Sequence, residues 1–181
     1  IYDAEESTRD LFAQVPALPE GASGSSREMR LIDAIHDGLK ESLALWPDLI
    51  YMGQDIGPYG GVFKATEGLA ELFGSNRVRN TPLCESAIVG ASLGWSIAGG
   101  KAMMEMQFSD FVTTGFNQIV NNLAKLHWRW GQSVDVVIRM PTGAGVAAGP
   151  FHSQSTEAWF THVPGLKVVY PAFPAEAKAL L

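Results

Sequence analysis

Apolar and polar positions along this chain follow two alternating rhythms. Ile32, Ile35, Leu39 and Leu43 recur at three- and four-residue steps, which gathers them on one face of a helix. A capping box of Ser25 with Glu28 is expected to open that helix, and Trp46-Pro47 to close it. Leu49-Ile50-Tyr51-Met52-Gly53 is too short and too apolar for a surface helix and reads as a buried strand. Ile56-Gly57-Pro58-Tyr59-Gly60-Gly61 is turn, followed by a helix from Thr66 to Phe73. The rhythm then repeats. Strands are expected at Arg77 to Asn80, Ala102 to Met106, Val134 to Arg139 and Leu166 to Tyr170, and helices at Ser86 to Ala98, Phe111 to Arg129 and Thr156 to Phe160. A last helix begins at Pro174.

Strands alternating with helices through short loops imply an α/β fold, a mostly parallel sheet covered by helices on both faces. Ligands of such folds sit at the carboxyl ends of the strands. Glu85, the stretch Gln107 to Phe111 and the glycine loop from Pro141 to Gly149 all follow strands, so one rim can hold them together.

Residues 1–25 end in Pro16-Ala17-Leu18-Pro19-Glu20-Gly21-Ala22-Ser23-Gly24-Ser25, the composition of an arm or linker, which leaves 26–181 as the folded domain. The chain lacks an initiator Met and its final helix has no Gly or Pro stop, so it reads as a piece of something longer. Hydrophobic content of 46% with 18% charged residues suits a globular domain. A net charge of −6 without a basic run argues against nucleic acid as a partner. The longest apolar stretch, Ala87 to Gly100, is broken by Gly and Ser and is too short to span a bilayer. Cys84 stands alone, which rules out an internal disulfide and fits a reducing, cytoplasmic setting. No Cys/His spacing suits zinc, and no metal ligands are assigned.

Glu85 is the best candidate for chemistry, an acid at the mouth of a helix otherwise made of Ala, Val, Gly, Ile and Trp. Such a carboxylate is solvated, caps the helix, or is kept for a ligand. Its features alone favour the helix-terminus role. His152 follows the glycine loop, where an imidazole can shuttle protons or hold a carboxylate, or can simply be exposed. Phe108, Phe111 and Phe116 can equally be core. Gly143, Gly145 and Gly149 neither open a helix nor end in Lys-Ser/Thr, so they form a flexible loop and not a phosphate cradle. His127 reads as helix surface and His162 as a structural neighbour of Pro164. The small residues Gly90, Ala91, Ser92, Gly94 and Ala98 suit tight helix packing, within the domain or across a two-fold axis.

Thr81-Pro82-Leu83-Cys84-Glu85, Gln107-Phe108-Ser109-Asp110-Phe111, Gly115-Phe116-Asn117-Gln118-Ile119-Val120-Asn121, the glycine loop, His152-Ser153-Gln154 and Pro164-Gly165-Leu166-Lys167-Val168-Val169 occur in a fixed order. Together they resemble the β subunit of the thiamine-diphosphate-dependent E1 component of 2-oxo acid dehydrogenase complexes, nearest the branched-chain type, over about residues 27–181. The resemblance implies a three-layer thiamine-diphosphate-binding fold and a transketolase-like pyrimidine-binding domain. It further implies that Glu85 hydrogen-bonds the aminopyrimidine and favours the imino form that takes the thiazolium proton. Leu83, Gln107 and Phe111 match cofactor-contact positions, and His152 the active-site histidine. Phe111 stands where branched-chain relatives carry Tyr, so packing remains there and a hydroxyl contact does not.

Thiamine enzymes hold the diphosphate through a magnesium ion on a Gly-Asp-Gly motif, which this chain lacks. The resemblance assigns that ion to an E1 α part, so the chain alone is half a site and is expected to be inactive. Its other implied partners are a second β copy, a lipoyl-bearing E2 and a 2-oxo acid. In E1 proteins with fused parts a connector sits before this domain, so residues 1–25 suit either a fused parent or an ordinary arm. Two other readings stand beside this one: the pyrimidine domain of a transketolase or deoxyxylulose-phosphate synthase, and a noncatalytic assembly module.

Overall fold

A computed structural model describes residues 27–181. Its elements are α1 (Leu31–Leu45), β1 (Leu49–Gly53), α2 (Leu69–Phe73), β2 (Val78–Asn80), α3 (Glu85–Ile97), β3 (Lys101–Glu105), α4 (Val112–Asn117), α5 (Ala124–Trp130), β4 (Val136–Arg139) and α6 (Pro174–Ala179). The four strands form one parallel sheet in the order β2-β1-β3-β4. Side chains alternate across it, and each face buries its own cluster. Leu49, Tyr51, Val78 and Met103 meet Leu39 and Leu43 of α1 and Leu69 of α2. Ile50, Met52 and Met104 meet Ile88, Val89 and Leu93 of α3 and Val112 of α4. The result is the expected three layers, helix, sheet, helix.

Several boundaries moved for identifiable reasons. α1 opens at Leu31 behind an extended Arg30 that makes no side-chain cap; its guanidinium instead grips Asp33 with two bonds of 2.7 Å. Ser25, and with it the proposed capping box, lies outside the described residues, as does the arm 1–25. Thr66 does not join α2. Its hydroxyl donates to the Ile56 carbonyl at 2.9 Å and closes the loop after β1. The helix expected from Phe111 to Arg129 is a continuous run from Ser109 to Trp130 that changes pitch: a 3-10 turn (Ser109–Phe111), α4, a π-helical segment (Gln118–Leu123) and α5. Side-chain bonds from Asn121 to Asn117 and from Asn122 to Gln118 run along the widened turn. The run ends at Gly131, whose left-handed φ of 67° lets its N–H reach the His127 carbonyl. The helix expected at Thr156 to Phe160 is a single 3-10 turn, Glu157–Trp159.

Leu166 to Tyr170 is not a strand. Its Val-Val-Tyr composition suits a sheet, but β4 pairs only with β3 and no ladder bonds reach the segment. Val169 and Tyr170 are more than half exposed. Composition proposes a strand, and a ladder makes one.

Candidate active site

Each candidate side chain stands at the carboxyl end of a strand, on the rim where parallel sheets bind ligands. Glu85 is the first residue of α3, reached from β2 through Thr81 to Cys84. Gln107 follows β3, and the 3-10 turn of Ser109–Phe111 comes next. His152 lies on the loop that leaves β4.

Glu85 is 6% exposed, so it is not solvated. It does not cap α3 by hydrogen bonding, since the only side-chain bond it makes among the described residues is accepted from the Thr114 hydroxyl, at 3.2 Å from Oε2. No cation of the described residues pairs with it. The same hydroxyl lies 2.9 Å from the Phe111 carbonyl, which ties the acid to the turn carrying Phe111. Ile88, at 2% exposure, helps to bury Glu85's side of α3, whereas Leu83 stands 79% exposed and shields little. A carboxylate buried in this way retains an oxygen for an incoming donor.

Phe111 and His152 are brought together. Their rings meet edge to face at 5.3 Å, and both pack on Phe108, at 5.6 and 5.0 Å respectively; Phe63 also meets Phe108 edge to face, at 5.5 Å. Phe116 separates from them and stacks on Phe160 in the core. Gln107 turns its amide to Asp55 in the loop after β1, with Nε2 donating to Oδ2 at 2.6 Å. His127 is half-buried on α5, with Nδ1 enclosed and unpartnered, and His162 is exposed beside the Ala158 carbonyl. On α3, Gly90 faces Gln118 at ordinary contact distance while a Cβ at Gly94 would meet nothing, so the small-residue stripe packs internally at one end only.

Behind the rim, one buried network was not anticipated. Tyr51 donates to Glu105, and Arg139 approaches the same Oε2 through Nε at 3.1 Å and Nη2 at 2.6 Å. Glu105 and Arg139 end neighbouring strands and are register partners, so their side chains leave the sheet on one face. Burial pushes the Tyr51 phenol well above its ordinary pKa, and the Glu105 carboxylate adds to the rise. Burial alone would lower the Arg139 guanidinium, but Tyr51 and Glu105 more than offset it and the net shift is upward. Opposite charges ending two apolar strands were the available signal. Among the described residues, no group of three or more His, Cys, Asp or Glu is placed to hold a metal, and no helix is long and apolar enough to cross a membrane.

Residues 27–181 match the transketolase pyrimidine-binding domain family. The chain belongs to that family. Among its relatives, the 2-oxoisovalerate dehydrogenase subunit beta 2, mitochondrial, of Arabidopsis thaliana is 47% identical over 165 residues, covering 90% of this chain and 46% of the relative. The 2-oxoisovalerate dehydrogenase subunit beta of Bacillus subtilis is 46% identical over 155 residues, 84% of this chain and 47% of the relative. The pyruvate dehydrogenase E1 component subunit beta of Leifsonia xyli is 40% identical over 166 residues, 91% and 49%. This pyrimidine-binding domain thus spans about half the length of the curated relatives it matches.

Proposed function

We infer that this chain is the pyrimidine-binding part of a 2-oxo acid dehydrogenase E1 component. The single observation that carries the reading is Glu85: buried, in the first turn of α3 without a side-chain cap bond, without a cation among the described residues, and joined through Thr114 to the turn that carries Phe111, on which His152 packs. These residues fit an aminopyrimidine, which offers a flat ring for Phe111 to pack on and a ring nitrogen for a carboxylate to hold. Thiamine diphosphate, when bound, would supply the carbanion chemistry that decarboxylates a 2-oxo acid. Glu85, with Oε2 accepting from Thr114, would hold the ring nitrogen, and Phe111 would pack against the ring. His152, packed edge-on against Phe111 and Phe108, presents an imidazole that can donate to a substrate carboxylate or move a proton. Gln107 and Leu83 flank the cofactor position, the first already braced by Asp55 and the second with its side chain free.

The diphosphate and its magnesium ion fall to an E1 α part, with a second β copy and a lipoyl-bearing E2 completing the assembly. Branched-chain 2-oxo acids are the favoured substrates, supported by the names of the Arabidopsis and Bacillus relatives, while the Leifsonia name keeps pyruvate in view. A cytoplasmic location is proposed from the lone cysteine, while the Arabidopsis relative is named as mitochondrial.

In the full parent protein reassembled with its α part, Glu85→Gln should cut thiamine-dependent decarboxylation by about 100-fold or more, the scale of a lost acid-base group, without lowering the thermal midpoint. Intact activity would favour the assembly-module reading. A panel of 2-oxo acids and a sugar phosphate then fixes the substrate, and transketolase turnover would overturn the E1 choice.

A further inference from the structure

The loop that carries His152 is closed at its neck by one buried carboxylate. After β4, the Thr142 hydroxyl donates to the Gln154 carbonyl at 2.9 Å, the Gly143 N–H reaches the same oxygen at 3.3 Å, and the Ser109 hydroxyl lies 3.2 Å from it. On its other side, Gln154 sends both its backbone N–H, at 3.1 Å, and its side-chain amide, at 2.9 Å, to Asp110 Oδ1. Residue 154 is therefore held by its backbone and its side chain at once. Asp110 belongs to the same 3-10 turn as Phe111, one of the two rings on which His152 packs. It is 7% exposed, its Oδ2 is enclosed without a partner, and no cation among the described residues pairs with it. Both donors converge on one carboxylate oxygen, and both come from a single loop residue two positions from His152.

The geometry points to Asp110 as a positioning residue for His152: by gripping Gln154 it sets where the loop seats the imidazole against Phe108 and Phe111. This rests on the active-site role given to His152 above. The ring contacts alone do not fix the loop, because edge-to-face packing tolerates sliding, whereas two converging N–H donors define one position.

The test uses the full parent protein with its α part and thiamine diphosphate, in the variants Asp110→Ala, Asp110→Asn, His152→Ala and Asp110→Ala/His152→Ala. In Asp110→Ala, amide exchange across residues 143–153 should quicken by about tenfold or more, as expected when a loop loses two hydrogen bonds to one buried acceptor, while β1 and β3 stay protected. Asp110→Asn keeps an acceptor in place of Oδ1 and should retain most of that protection. Turnover should fall in Asp110→Ala with the dissociation constant of thiamine diphosphate unchanged, and Asp110→Ala should add no further loss once His152 is Ala. Unaltered loop exchange, or losses that multiply in the double variant, would overturn the role of Asp110. Full activity of His152→Ala would overturn the role of His152 and this proposal with it, an outcome distinct from unaltered exchange. Should Asp110→Ala fail to fold, Gln154→Ala removes the side-chain bond alone and is read in the same way.

Discussion

At the scale of residues, buried charges are the features most informative about this domain, and they fall into two kinds. Glu105 has its cation: Arg139 and Tyr51 converge on one of its oxygens, deep on the α1 face of the sheet. Glu85 has none. The first arrangement is structural, and removing one member should leave the other stranded. Arg139→Met is expected to cost about 3–5 kcal/mol in denaturant unfolding, and Glu105→Met/Arg139→Met should be more stable than Arg139→Met alone, because an apolar pair avoids an uncompensated charge. Equal stability of the single and double variants would show that the pair is not coupled. Glu85 was visible in the sequence because an acid opened an apolar helix, but its burial and its bond to Thr114 were not, since Thr114 comes from a different helix. Asp110 was visible only as a letter in a motif. Its bonds to Gln154 join positions far apart in the chain, and no local pattern encodes them.

At the scale of elements, periodicity located every strand of the sheet and most helices to within a few residues, because the central strands β1 and β3 are short, nearly continuous apolar runs and α1 is apolar on one face. It failed where a tertiary partner decides. Thr66 was lost to α2 by a hydroxyl bond to the loop after β1, and Leu166 to Tyr170 found no ladder. The change of pitch at Gln118–Leu123 carries no hydrophobic signature at all. Glycine marks one close approach sharply. Gly165 has φ of 94°, and a Cβ there would stand 2.0 Å from the Ala124 carbonyl oxygen at the start of α5. Gly165→Ala combines a left-handed backbone with this clash, and should destabilise by about 1–3 kcal/mol, read as a lowered thermal midpoint. An unchanged midpoint would mean that the segment after the His152 loop is not packed on α5.

At the scale of the whole molecule, one sheet with helices on both faces offers one rim, and strands β1, β2, β3 and β4 each deliver a residue or loop of the candidate site to it. The interior also ties stability to alkaline pH. Folded Tyr51 keeps its proton above the ordinary value of 10.0, so the contribution of its network is complete below that pH and is lost as pH rises towards the folded value. Tyrosinate absorbance and far-ultraviolet circular dichroism, followed together, should show Tyr51 ionising only with unfolding, and Tyr51→Phe should remove that coupling. The domain covers about half the length of its curated relatives.

The most direct test of the account is the structure of the full parent protein bound to thiamine diphosphate, read at one distance. A Glu85 oxygen should lie within hydrogen-bonding reach of the aminopyrimidine ring nitrogen, with Phe111 against the ring. An aminopyrimidine seated elsewhere, or Glu85 paired with a protein cation in the assembled site, would contradict it.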